Sequence, residues 1–357
     1  MKTRIPYFRA RAGFSLVELM VSMAVLSLVM LVLLSITGTT QSIWKQTSQR
    51  IDAFRAARSG FESMTRRLSQ ATLNTYWDYD NANAPTRYVR RSELRFLSGT
   101  IPAVAAALNA AVCPTQAAFF QAPLGFVADT KDYNGMENLL NTFGYYVKVS
   151  SDKYDPNDPN GTKPQFLAVP DRTRFRLMQL SEPSEILKLY TYSNGVPGYN
   201  GTDWFAAPLA TLANSHVIAD NVISLVLLPK LSAQEDSAGT ALAPNYTYST
   251  APVAWPPATP QATTENQLAP LVQVTMVAID ETSAARLASL CNNDPAAMVA
   301  KLGLGNLFTT AGSLSDPTQP GYAQDLKTLT DTLQSLHLKY RVFNSEVSTR
   351  GAKWSKK

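Results

Sequence analysis

Six consecutive residues, Gly13-Phe14-Ser15-Leu16-Val17-Glu18, combine what a peptide-bond cleavage needs with what a new charge pair needs. A glycine before the scissile bond puts no side chain in a protease cleft, and Phe14 would open the remaining chain with a large apolar group. Cleavage between Gly13 and Phe14 frees an amine, and Glu18 then stands about one helical turn away. A carboxylate near a helix N-terminus is favoured by the local dipole. At the head of a hydrocarbon-length apolar run it is costly without a partner or an interface close by. The Phe14 amine of the same chain or of a neighbouring copy supplies that partner; the alternative is that Glu18 snorkels at the headgroup boundary.

Other chemistry-bearing groups are sparse. Asp152, Asp155 and Asp158, with Asn157 among them, lie close enough to wrap a hard cation such as calcium, but their spacing is not that of the twelve-residue calcium loop, and a solvated turn fits the same residues. Cys113 and Cys291 allow two readings, a disulfide closing a loop of roughly 180 residues or two inert buried thiols. The two histidines, His216 and His337, sit in no nucleophile elbow or metalloprotease motif. Phosphate-binding glycine loops are absent too, so the sequence nominates no catalytic residue and the expectation is a protein that is not an enzyme.

The elements that must position Gly13, Phe14 and Glu18 are a leader and a stem. Residues 2–11 carry Lys2, Arg4, Arg9 and Arg11 with no acid. From residue 19 to about 37 the chain is nearly all Leu, Val, Met and Ile, interrupted by Ser22, Ala24, Ser27 and Ser35. A basic flank followed by an apolar run is a membrane-insertion pattern, and it predicts a cytoplasmic N-terminus with the C-terminal body across the bilayer. The cleavage candidate precedes the apolar run, so a cut there leaves the anchor in the mature chain, unlike an ordinary secretory signal. Beyond Gly38 the residues Ile51, Phe54, Ala57, Phe61, Met64 and Leu68 recur at helical spacing with charges between them, which predicts one helix over 14–73, about 90 Å long. Small residues at 22, 24 and 27 permit close approach of other helices.

The 357 residues carry a net charge of +5, most of it in the leader. The remaining basic residues are dispersed and form no stripe with interleaved aromatics, so nucleic acid is not an expected partner.

The hexapeptide with its basic leader and apolar sequel resembles the class III signal of type IV pilins and of the pseudopilins of type II secretion. The resemblance implies that a prepilin peptidase cuts after Gly13 and methylates Phe14, and that Glu18 corresponds to the family's conserved fifth-position glutamate. It covers about the first 40 residues.

Past residue 73 the chain becomes rich in turns. Strands are expected at 93–97, 117–121, 143–149, 174–180, 186–192, 216–229, 271–280 and 336–343, with a helix near 324–333. Residues 242–266, dense in Pro, Ala and Thr, read as a surface insertion. The resulting organisation is a leader over 1–13, a stem over 14–73, an exported body over 74–350 and a basic tail over 351–357. The fold class is α+β: a long N-terminal transmembrane and amphipathic helix packed on antiparallel sheets, the pilin-like arrangement. Ala219-Asp220-Asn221-Val222, then Pro270-Leu271-Val272-Gln273-Val274-Thr275-Met276, then Tyr340-Arg341-Val342-Phe343 looks like the order in larger minor pseudopilins of the J type and PilW-like minor pilins.

These resemblances imply a minor pseudopilin that assembles, primes or caps a type II secretion pseudopilus from the bacterial inner membrane, working with a prepilin peptidase, other pilin or pseudopilin subunits and an inner-membrane assembly platform. Two alternatives stand beside it: a major or accessory type IV pilus subunit for adhesion or DNA uptake, and a membrane-tethered periplasmic hydrolase.

Overall fold

The computed structural model describes residues 15–128, 131–133, 135–136, 139–153, 171–187, 202–212, 214–251 and 258–354. The chain divides into two units, residues 1–51 and 52–357. Its longest element, α1 (Leu16–Ser69), spans 54 residues and enters both.

In the first unit α1 is apolar from Leu16 to Gln41, long enough to cross a bilayer, and none of this stretch is buried inside the chain. Most of its hydroxyls are absorbed by the helix itself. Ser22 Oγ donates to Leu19 O at 2.9 Å, Ser27 Oγ to Ala24 O at 2.9 Å and Thr37 Oγ1 to Leu33 O at 2.7 Å. Back-bonding of this kind removes free donors from the helix surface, which lipid favours.

The second unit begins with the distal turns of α1. Ala57, Phe61, Met64 and Leu68 recur every three or four residues and are all buried. They face a six-stranded antiparallel sheet of order β7-β6-β5-β4-β3-β9, formed by β3 (Leu97–Thr100), β4 (Gln116–Pro123), β5 (Leu140–Ser151), β6 (Thr173–Glu182), β7 (Ser215–Asp220) and β9 (Tyr248–Ser249). Alternation along the strands gives this sheet two apolar faces. Ala118, Phe120, Phe143, Tyr145, Val147, Phe175 and Leu177 join the α1 side, whereas Phe119, Tyr146, Met178 and Leu180 pack with helices α2 (Ile101–Val104) and α3 (Asp203–Thr211) on the other. There Phe119 stacks on Phe205 with ring centroids 4.1 Å apart. Two glycines allow close approach: a Cβ on Gly60 would stand 3.2 Å from the Ala219 Cβ, and one on Gly144 would stand 2.5 Å from the Phe119 ring.

A second sheet, β11-β10-β8, consists of β8 (Val222–Lys230), β10 (Leu271–Ile279) and β11 (Tyr340–Ser348). Strand β8 is buried along nearly its whole length although it lies at the edge. Side chains at and just before the start of β4 meet the outward donors of β8: Leu225 N donates to Thr115 Oγ1 at 3.2 Å and Leu227 N to Gln116 Oε1 at 2.6 Å. Helices α4 (Glu281–Leu290), α5 (Pro295–Lys301) and α6 (Tyr322–Ser335) complete the body, and a separate ribbon pairs β1 (Tyr76–Tyr79) with β2 (Tyr88–Arg91). The end of α1 is held from both sides. Thr72 N donates to Gln121 O at 3.0 Å, Arg350 N donates to Ser69 O at 2.9 Å, and a Cβ on Gly351 would stand 2.9 Å from Ala71 O.

The α+β architecture expected from the sequence is the one found, and the differences are local. The strand expected at 93–97 lies at Leu97–Thr100, because Asn74 Oδ1 accepts from the backbone of Glu93 and Leu94 and holds that stretch out of the ladder. The single strand expected over 216–229 is two, β7 and β8, which belong to different sheets. The break is Asn221, whose φ of 62° is a conformation asparagine accepts more readily than most residues. Residues 336–339 close α6 rather than open β11, and most of 186–192 lies outside the described residues. The stretch 242–266 is not merely a surface insertion: Tyr246 and Tyr248 are fully buried, and Tyr248–Ser249 forms the last strand of the large sheet. The Cys113–Cys291 bridge is not formed. Both thiols are free and buried in different clusters, Cys113 beside α2 and α3, Cys291 at the end of α4.

Candidate membrane anchor and assembly site

Helix α1 starts where the apolar run starts. Leu19 N donates to Ser15 O at 3.2 Å, which places Glu18 in the first turn, where the helix dipole favours a carboxylate. Glu18 is exposed, and among the described residues it makes no ion pair. It heads one side of the helix, with Val21, Ser22, Val25, Leu26 and Val29 following on the same face. A charged head on an otherwise apolar strip can anchor a partner carrying a single positive group while the strip packs against lipid or a second apolar helix. Ser22, proposed from the sequence as a close-approach position, lies on the Glu18 face. Gly13 and Phe14 lie outside the described residues.

Of the calcium candidates, Asp152 is the one among the described residues. Asp152 Oδ1 accepts from Arg172 N at 2.6 Å and its Oδ2 from Arg172 Nε at 3.0 Å. Burial acts to raise its pKa, but these bonds outweigh burial and hold the carboxyl below its ordinary value. Its oxygens are thus committed to the backbone N–H and the guanidinium of Arg172, which does not fit an open cation ligand. Asp155 and Asp158 lie outside the described residues, and no group of three or more His, Cys, Asp or Glu suited to a metal occurs among the described ones. Burial pushes the Cys113 thiol up to about 12, which keeps it protonated and unreactive. His216 and His337 are exposed and lie on separate elements, one in β7 and one just beyond α6.

Sequence reasoning missed a polar junction that fixes the body. Arg174, nearly buried, donates through Nη2 and Nε to Glu281 Oε1 at 2.7 and 3.2 Å, and Asn221 Nδ2 donates to Glu281 Oε2 at 2.8 Å. Strand β6, the β7–β8 turn and the first turn of α4 are thereby tied together. Burial works to raise the Glu281 pKa, yet the bonds from Arg174 and Asn221 prevail and keep it below the usual carboxylate value. Asp280-x-x-Ser283 was the available signal, since Asp280 caps α4 by accepting from Ser283 N at 2.7 Å.

Compared with known families, residues 8–34 match the prokaryotic N-terminal methylation motif. No curated protein and no solved structure matches the chain. The motif, the membrane-length helix and the sheet body are together consistent with the broad type IV pilin and pseudopilin family. The motif implies processing by a prepilin peptidase and assembly with related subunits, and it points to a structural, non-catalytic subunit. The one membrane-length apolar helix among the described residues is consistent with a single-pass inner-membrane anchor.

Proposed function

We propose that this chain is a minor pseudopilin-like subunit that assembles, primes or caps a type II secretion pseudopilus. Cleavage after Gly13 and methylation of Phe14 precede assembly, and Glu18 pairs with a Phe14 amine as apolar stems come together. The basic leader supports a cytoplasmic N-terminus and a periplasmic body. The observation that carries the reading is the methylation motif over residues 8–34 at the head of a helix whose apolar stretch is left wholly unburied by its own chain. An apolar helix surface of this kind needs lipid or neighbouring helices, and a carboxylate at its head needs a counter-charge. The body contributes bulk: a domain that continues past α1 for some 280 residues obstructs a further subunit above it, which suits a tip or priming position.

The test is expression of the full chain with and without a prepilin peptidase, followed by intact mass and N-terminal sequencing of the membrane-bound product. A chain beginning at methylated Phe14 only when the peptidase is present is the expected result. A product that still begins at Met1 with active peptidase, or that is cut after the apolar run, overturns the assignment. Affinity capture of the processed form then separates secretion from pilus machinery by the subunits that accompany it.

A further inference from the structure

The β1–β2 ribbon carries large aromatic side chains that its own fold does not cover. Trp77 and Tyr79 on β1 lie opposite Arg90 and Tyr88 on β2, so three aromatic rings share one face. They are 57, 45 and 63% exposed for Trp77, Tyr79 and Tyr88. Tyr79 and Tyr88 stack with centroids 5.0 Å apart, and the Arg90 guanidinium lies over the Trp77 ring at 6.0 Å.

Neighbouring groups hold this face rigid. Asp80 Oδ1 accepts from Asn81 N and Thr86 N, both at 2.9 Å, which fixes the connection between the strands. Gln261 donates to and accepts from the Arg90 backbone at 2.9 Å in both directions, standing in for a third strand. Rings presented this way lose little conformational freedom when a ligand arrives.

Charge and size restrict the ligand. The three arginines of the ribbon are committed: Arg91 to Asp78 at 2.5 Å, Arg87 to Asp80 and the Ala258 carbonyl, Arg90 to the Ala262 carbonyl. An anion finds no open guanidinium there, and a cation meets the Arg90 charge already lodged against Trp77. The exposed parts of three such rings offer roughly 300 Å², well short of the about 800 Å² per partner of a stable protein interface. What fits is a small neutral molecule with polarised C–H faces for the electron-rich rings and hydroxyls for a polar rim. The phenol groups of Tyr79 and Tyr88 and the exposed Asn81 and Asn83 supply that rim.

We propose that Trp77, Tyr79 and Tyr88 form a binding site for a neutral oligosaccharide of two or three sugar rings. The test is calorimetric titration of the full chain, purified in a detergent without a sugar headgroup, with N-acetylglucosamine tetramer, cellohexaose and maltohexaose as probes. Saturable binding of at least one probe with a Kd on the order of 1 mM or tighter is expected. Trp77→Ala and Tyr88→Ala should each weaken it by about tenfold, while Tyr76→Ala, on the opposite face of the ribbon, should leave it within about twofold. No saturable binding of any probe overturns the proposal, as does binding that Trp77→Ala leaves intact. Self-association abolished by Trp77→Ala without saccharide binding would also overturn it, by identifying a contact between copies. None of these outcomes bears on leader processing, so this site and the pseudopilin reading stand or fall separately.

Discussion

The two ends of α1 are both rich in large apolar side chains, yet their situations are opposite. From Leu16 to Gln41 no side chain is buried, and most of the hydroxyl groups bond back to their own helix. From Phe54 to Leu68 the apolar residues are confined to one stripe that the sheets cover, while Arg55, Arg58 and Glu62 face solvent. A helix apolar all round requires an apolar environment supplied from outside the chain, whereas a one-sided helix finds its environment in its own fold. One continuous helix therefore serves two solvents, and substitutions in its two parts should register in different experiments.

The largest effect on body stability is expected at the buried stripe. Met64→Ala, at a fully buried position, should cost about 2–4 kcal/mol and lower the melting temperature read by near-UV circular dichroism of the full chain in detergent. Leu26→Ala, at an exposed position, should change the same reading by less than about 0.5 kcal/mol. Equal effects from the two would erase the distinction between the halves.

Glu281→Gln comes next and tests whether the body's rigidity is independent of the stem. The lost charge leaves Arg174 nearly buried without its carboxylate, but Glu281 is 46% exposed, so the cost should be roughly 2 kcal/mol at neutral pH rather than that of a fully buried pair. Because the folded-state pKa of Glu281 lies below its ordinary 4.5, its contribution is complete above that pH and is lost as pH falls through the depressed value. Acid melts of the two proteins should therefore converge below pH 4.5, and parallel curves there would count against the Arg174 pairing.

The smallest effect on the body belongs to Glu18→Gln, which should leave its melting temperature unchanged within about 0.5 kcal/mol. The same variant should reduce recovery of the processed chain in sheared filaments by at least about tenfold, as judged by quantitative immunoblotting. A destabilised body would mean that Glu18 acts inside the fold rather than between chains.

The stem was legible because two independent signals, apolar length and then 3.6-residue periodicity, meet in one segment. Strands β4, β5, β6 and β10 were legible because each is dense in aromatic, β-branched and other apolar residues over a strand's length, with β6 alternating apolar and charged side chains at its start. The expectation of one strand over 216–229 failed at the turn-like Asp220-Asn221 pair, where the left-handed Asn221 moves the chain from one sheet to the other. Helix α5 carried its start signal in Asp294-Pro295, an N-cap followed by proline at the first helical position, and α4 carried Asp280. Helix α3 gave a contrary signal through Pro208 in its interior. Of the assembly site, Glu18 was legible from its cost in an apolar segment. The aromatic ribbon was not, because Tyr76-Trp77-Asp78-Tyr79 reads locally as the opening of a turn-rich stretch, and only its pairing with Tyr88–Arg91 puts the rings on one exposed face.

The hold that Arg350 and Gly351 exert on the end of α1 has a consequence in time. The final turn of the helix is closed by residues some 280 positions later in the chain, so this contact closes a very long loop. A chain cut short before residue 350 still has both sheets in its sequence but leaves the Ser69 carbonyl without its donor and Ala71 without its cover. The finished helix terminus thus depends on a segment made long after the helix itself.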